Sequence, residues 1–160
     1  ARAGFGQFIQ GRQVDGAQGI HIALDAINLA LQAPELDAAF ATELVYGTLR
    51  MQGLYDAVLA QCVDRPLEAL DDGILEILRM GAHQLLSMRV PTHAAVSETV
   101  DVARTVMTAG PSALINAVLR TVSRQDIDTW TAQVAPDRAT DPLGHLAVAR
   151  SHPRWIVSAR

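Results

Sequence analysis

Along this chain, apolar residues recur at helical spacing in one segment after another. Ile20, Leu24, Ile27 and Leu31 form the first stripe, and Pro34 ends it. Leu36, Phe40, Leu44, Val45 and Leu49 predict a second helix over about 36–49. Leu54, Val58, Leu59 and Val63 predict a third, after Gly53 and before Pro66. Asp71 or Asp72 can cap a fourth, in which Ile74, Leu75, Ile77, Leu78, Leu85 and Leu86 are apolar on nearly every side, so it belongs at the centre. Pro91 breaks the chain, and Thr92 can cap a fifth helix carrying Ala95, Val96, Val100, Ala103 and Val106. Gly110 then reads as a stop, with Pro111 and Ser112 starting a sixth helix whose stripe is Leu114, Ile115, Val118, Leu119 and Val122. Helical stretches over about 126–134 and 142–150 follow, joined by the turn-like APDRATDP. Near the end, Ser151 and Pro153 suit one more helix start, and Trp155, Ile156 and Ala159 begin its apolar stripe. The Gly- and Gln-rich residues 1–19 have poor periodicity. No segment alternates as a strand would, so the predicted fold class is all-α.

Composition agrees with a helical globule. Hydrophobic residues make up 49% of the 160 and aromatics only 4%, which suits one domain with an aliphatic core. Asp25, Glu43, Asp56 and Glu76 interrupt every candidate for the roughly 18-residue apolar run of a membrane span. Cys62 is the only cysteine, so no intramolecular disulfide can form, and a reducing cytoplasmic setting is expected. The net charge of −4 disfavours a generic nucleic-acid binder, which needs a basic surface. Its distribution changes that picture. Residues 1–110 hold 7 Arg against 13 Asp and Glu, and residues 111–160 hold 6 Arg against 4 Asp. An anion-binding face should therefore be local and lie in the C-terminal part.

Chemistry is sparse. The histidines His21, His83, His93, His145 and His152 show no metal-ligand spacing, and partly buried or surface roles suit them better. Cys62 sits within an apolar helix and reads as an inert core thiol. No glycine-rich strand-to-helix turn is present, so no catalytic, cofactor or metal site is predicted in this chain. The best candidate for recognition is the polar edge of the sixth helix. There Ser112, Asn116, Arg120 and Arg124 recur every four residues without an acid among them. Arginine forks suit phosphate oxygens, although an ordinary solvated face fits the same pattern. Glu43, Tyr46 and Arg50 share another polar face, where an ion pair or hydrogen-bonded network is expected. The 7 aromatics are too few for a base-stacking platform.

Three segments in this order, AFATELVYGTLR (39–50), ILRMGAHQLLSMRVPTHAAVSETVDVAR (77–104) and INAVLRTVSR (115–124), carry a resemblance. Together they resemble the N-terminal domain of the Sun/Fmu-type (RsmB) 16S rRNA (cytosine-5) methyltransferases, which is similar to the helical antitermination factor NusB. The resemblance covers about residues 36–160. Leu119-Arg120, where NusB factors usually carry Leu-Asp, and the YGTLR and HAAV wording favour the methyltransferase branch. It implies a NusB-like bundle of about seven helices, with residues 1–150 as an RNA-binding accessory domain. Residues 151–160 would then start a linker or the next domain. It also implies a non-catalytic chain whose partners are 16S rRNA and its own C-terminal methyltransferase domain, with S-adenosylmethionine held in that domain. A monomer is expected. The RNA contacts would come from Arg120, Arg124 and Asn116, with help from Arg50 and Arg104. The arginine-rich N-terminal segment of NusB factors is represented only by Arg2 and Arg12. Two other roles fit the same residues: a free-standing antitermination factor acting with a ribosomal protein, and a structural clamp that never touches RNA.

Overall fold

The computed structural model describes residues 38–106 and 109–159. The first predicted helix, over 20–31, lies outside them. Within them are eight α-helices and one 3₁₀ turn, and no strand. Helix α1 is Ala38–Arg50, α2 Gln52–Cys62, α3 Asp72–Leu86, α4 Thr92–Val106, α5 Ala109–Val122, α6 Ile127–Val134, α7 Pro142–Ala149 and α8 Arg154–Ser158; the 3₁₀ turn is Leu67–Ala69. The all-α expectation holds among the described residues.

Helix α3 packs against α1, α2, α4 and α5, so the helix predicted to be central is central. Its buried face is narrower than its composition suggests. Ile77, Leu78, Ala82 and Leu86 are buried, whereas Ile74, Leu75 and Leu85 are only partly so. The rest of the core comes from Leu54, Tyr55, Val58 and Leu59 of α2, Val96 and Val100 of α4, and Ile115, Val118, Leu119 and Val122 of α5. Trp130 of α6 closes it, and its indole N–H donates to the Val122 carbonyl at 2.9 Å. That bond satisfies a carbonyl that α5 would otherwise leave open at its C-terminus.

Two glycines explain the close helix contacts. A Cβ on Gly47 would overlap the His83 ring, and one on Gly81 would lie 2.7 Å from both Leu119 methyls. Only a hydrogen fits at either place, so α1 seats on α3 through Gly47 and α3 on α5 through Gly81. This also corrects the predicted apolar face of α1. Phe40 is 38% exposed, while Gly47 and Thr48 are buried. Apolar spacing gives no weight to a small residue that is buried because it is small.

Helix ends follow local chemistry. The carboxylates of Asp71, Asp126 and Asp141 accept from the backbone N–H of Gly73, Thr129 and Gly144 at 2.9, 2.8 and 2.9 Å. Three predicted boundaries differ. Thr92 is already inside α4, with the Pro91 carbonyl accepting from Ala95 N–H at 2.9 Å. Helix α5 begins at Ala109, so Gly110 lies in its first turn and Pro111 follows. A first-turn N–H has no intrahelical partner, and a proline there removes nothing. Ser151 caps no helix. It adopts φ 53° after α7, and its hydroxyl accepts the Gly53 N–H of α2 at 2.7 Å.

Candidate nucleic-acid interface

Helices α4 and α5 lie side by side because both bury one face against α3. Their outer edges form two rows. On α4, His93, Ser97 and Asp101 recur every four residues, with Arg104 three further on; on α5, Ser112, Asn116 and Arg120 do the same. Between the rows runs an open groove of ≈ 420 Å³, and Val96 and Val100 form its floor. The α5 row was legible from its spacing. The α4 row was missed, although its own four-residue period was there to be read.

Of the five predicted contact residues, the groove brings together Arg104, Asn116 and Arg120. Arg124 and Arg50 do not line it. Helix α5 stops at Val122, and Arg124 falls in the turn that follows, its N–H donating to the Thr121 carbonyl at 3.2 Å. Trp130 on the Val122 carbonyl and the Ser123 hydroxyl on the Arg120 carbonyl (2.7 Å) complete that ending. The predicted stripe therefore ends at Arg120. Arg50 stands at the end of α1, 3.6 Å from the Glu43 carboxylate.

The groove's arginines are lightly held. Arg104 lies 3.7 Å from Asp101 with both side chains well exposed, a weak pair in water. Arg120 donates through Nε to Asn116 Oδ1 at 3.2 Å. That bond leaves its two terminal nitrogens to bind an anion in the bidentate manner of arginine. A second groove, of ≈ 380 Å³, runs between α2 and the α7–α8 corner, and its charges are committed. Arg154 forks onto Asp141 at 2.7 and 3.1 Å, and Asp56 takes a two-pronged bond from Arg79 at 2.7 and 2.8 Å. Glu76 also accepts from Arg79. Burial alone would lower the Arg79 pKa, but these carboxylates outweigh it and the pKa is raised. This guanidinium is structural.

Of the network expected around Glu43, Tyr46 and Arg50, the Glu43–Arg50 pair is present and extends inward, whereas Tyr46 is exposed and stands outside it. His83, 1% exposed, lies 3.3 Å from Glu43 through Nε2 and 2.6 Å from the Tyr55 hydroxyl through Nδ1. Burial pushes the His83 pKa down despite the Glu43 carboxylate. The ring is therefore neutral near pH 7. A carboxylate can only accept, so Nε2 carries the proton and Nδ1 accepts from Tyr55, whose oxygen accepts from Ser87 at 2.5 Å. Burial also raises the Tyr55 pKa to about 12, which keeps this hydroxyl a donor. His145 Nδ1 donates to the Pro136 carbonyl at 2.9 Å, another structural role. Cys62 is partly buried and its thiol is pushed up to about 11, which makes it a poor nucleophile at neutral pH. Among the described residues, no three metal-ligating side chains cluster, and no helix is long and apolar enough to cross a membrane.

Residues 10–124 match the NusB family. The chain belongs to that family. It is 47% identical over 123 residues to a protein of Mycobacterium tuberculosis named as a methyltransferase, covering 77% of this chain and 27% of that protein. It is 33% identical over 125 residues to the ribosomal RNA small subunit methyltransferase B of Pseudomonas putida, with 78% and 27% covered. The enzyme of the same name from Vibrio vulnificus is 33% identical over 121 residues, with 76% and 26% covered. The chain thus spans about a quarter of the length of these relatives. The motif residues Gly47, Gly81, His83 and Leu119, on which the resemblance partly rested, are the ones that set the α1–α3–α5 contacts. Among the described residues there is no glycine-rich strand-to-helix turn.

Proposed function

We propose that this chain is the RNA-recognition and positioning domain of an S-adenosylmethionine-dependent 16S rRNA cytosine-C5 methyltransferase of the cytoplasm. The observation that carries the proposal is the α4–α5 groove. It is an arginine-edged cleft in a chain of net charge −4, and it belongs to a sequence whose relatives are named for rRNA methylation. Methyl transfer to the cytosine, with its cysteine chemistry, would be performed by a further part of a longer polypeptide. This chain would supply orientation.

The test is to remove residues 1–150 from such a methyltransferase and compare rRNA affinity and thermal stability with those of the intact enzyme. A fall in affinity with a preserved melting temperature supports recognition. Lost stability with unchanged affinity would instead make the domain a clamp.

One observation favours a second contribution. Trp155 is 72% exposed and Ile156 41% exposed on α8, beside the exposed Leu143 and Leu146 of α7. We propose that residues 151–160 lead into the next part of the polypeptide and that this edge packs against it. In the longer protein, Trp155 fluorescence should be blue-shifted and shielded from quencher relative to the 160-residue chain. Equal quenching in both would contradict this.

A further inference from the structure

We infer that the α4–α5 groove holds one splayed nucleotide of single-stranded RNA, its phosphate on Arg104 and Arg120 and its base over the Val96–Val100 floor. This deepens the RNA-recognition reading and rests on it. At ≈ 420 Å³ the groove falls within the ~300–1,000 Å³ of small-ligand clefts, a size for one nucleotide unit and not for a duplex. A duplex would need a broad basic surface, and the chain as a whole is acidic. A single unstacked base needs only a local apolar seat and a few polar groups at its edge. Val96 and Val100, at 4% and 7% exposure, offer methyl edges and no more, so the seat is shallow.

The polar groups are suitably placed. A guanidinium can only donate, so Asn116 must turn Oδ1 toward Arg120 Nε, and its NH₂ keeps donors for a base carbonyl. Uracil and cytosine present such carbonyls. The other charges about the groove are Asp101, which sits beside Arg104, and the exposed His93 at its mouth. Two arginines face one carboxylate, which leaves the groove a net attraction for one phosphate.

The probes are a short oligouridylate and a wholly abasic ribose-phosphate strand of equal length, titrated into the 160-residue chain by fluorescence anisotropy at low salt. Oligouridylate should bind about tenfold more tightly than the abasic strand. Ala113→Leu, on the exposed α5 lining, fills the groove without altering charge or adding a ring on which a base could stack. It should bring oligouridylate down to the abasic level and leave the abasic strand unaffected. An Arg104→Ala, Arg120→Ala double variant should weaken both strands, and circular dichroism of each variant confirms that it folds. Equal binding of the two strands by the wild type, or an Ala113→Leu variant that still prefers oligouridylate, overturns the nucleotide site while leaving RNA recognition standing. If neither strand binds, RNA recognition itself fails, and this site with it.

Discussion

Gly47 and His83 show how far one hydrogen atom decides this fold. Replacing a mid-helix glycine by alanine ordinarily stabilises a helix by about 1 kcal/mol. Here the new methyl would overlap the His83 ring, which is held between Glu43 and Tyr55 and cannot swing away. Overlap should win, so Gly47→Ala is expected to lower stability by roughly 1–3 kcal/mol in urea titration; a stabilised variant would show that α1 seats differently. His83 also sets a pH dependence. Its pKa is depressed below the ordinary 6.5 by burial, so the unfolded chain takes up the proton first. The His83 contribution to stability is then complete above pH 6.5 and is lost as pH falls from there through the depressed folded value. Melting temperature should fall between pH 7.5 and pH 5, and His83→Gln should flatten that fall. A His83→Gln variant with the same pH profile would assign the effect to other groups.

At the scale of elements, periodicity located every described α-helix; the central ones bury a stripe of aliphatic residues, whereas the stripe expected of α8 is exposed, with Trp155 and Ile156 on the surface. What it missed were features that carry no hydrophobic signal. Gly47 and Thr48 form part of the buried face of α1, and no apolar count registers them. Ser151 was legible only as a possible cap, because its Gly53 partner lies 98 residues away. At the end of α5, Trp130, eight residues further along the chain, donates to the Val122 carbonyl, and the predicted Arg124 falls past the helix and off its stripe. The candidate site was half visible for the same reason. The α5 row could be read from one helix, whereas the groove exists only where α4 lies beside it. Trp130→Phe deletes the N–H together with the five-membered part of the indole, leaving the Val122 carbonyl unpaired and a small void in a buried place. It should cost about 1–3 kcal/mol by thermal or urea denaturation. An unchanged stability would mean that water reaches that carbonyl.

At the scale of the molecule, the central balance is between an acidic body and a small basic groove. The isolated chain is expected not to bind S-adenosylmethionine, and calorimetry showing stoichiometric micromolar binding would contradict that. RNA affinity should be weak and steeply salt-dependent, since each phosphate neutralised on a single strand contributes a log–log slope of about −0.7. The most direct measurement is the affinity of the 160-residue chain for a single-stranded segment of 16S rRNA across a salt series, with two double variants beside the wild type. Removing Arg104 and Arg120 should weaken binding and flatten the slope by about 1.4, while removing Arg50 and Arg124 should change both far less. Wild-type affinity and slope in the Arg104→Ala, Arg120→Ala variant, or no binding by the wild type even at low salt, would contradict the account.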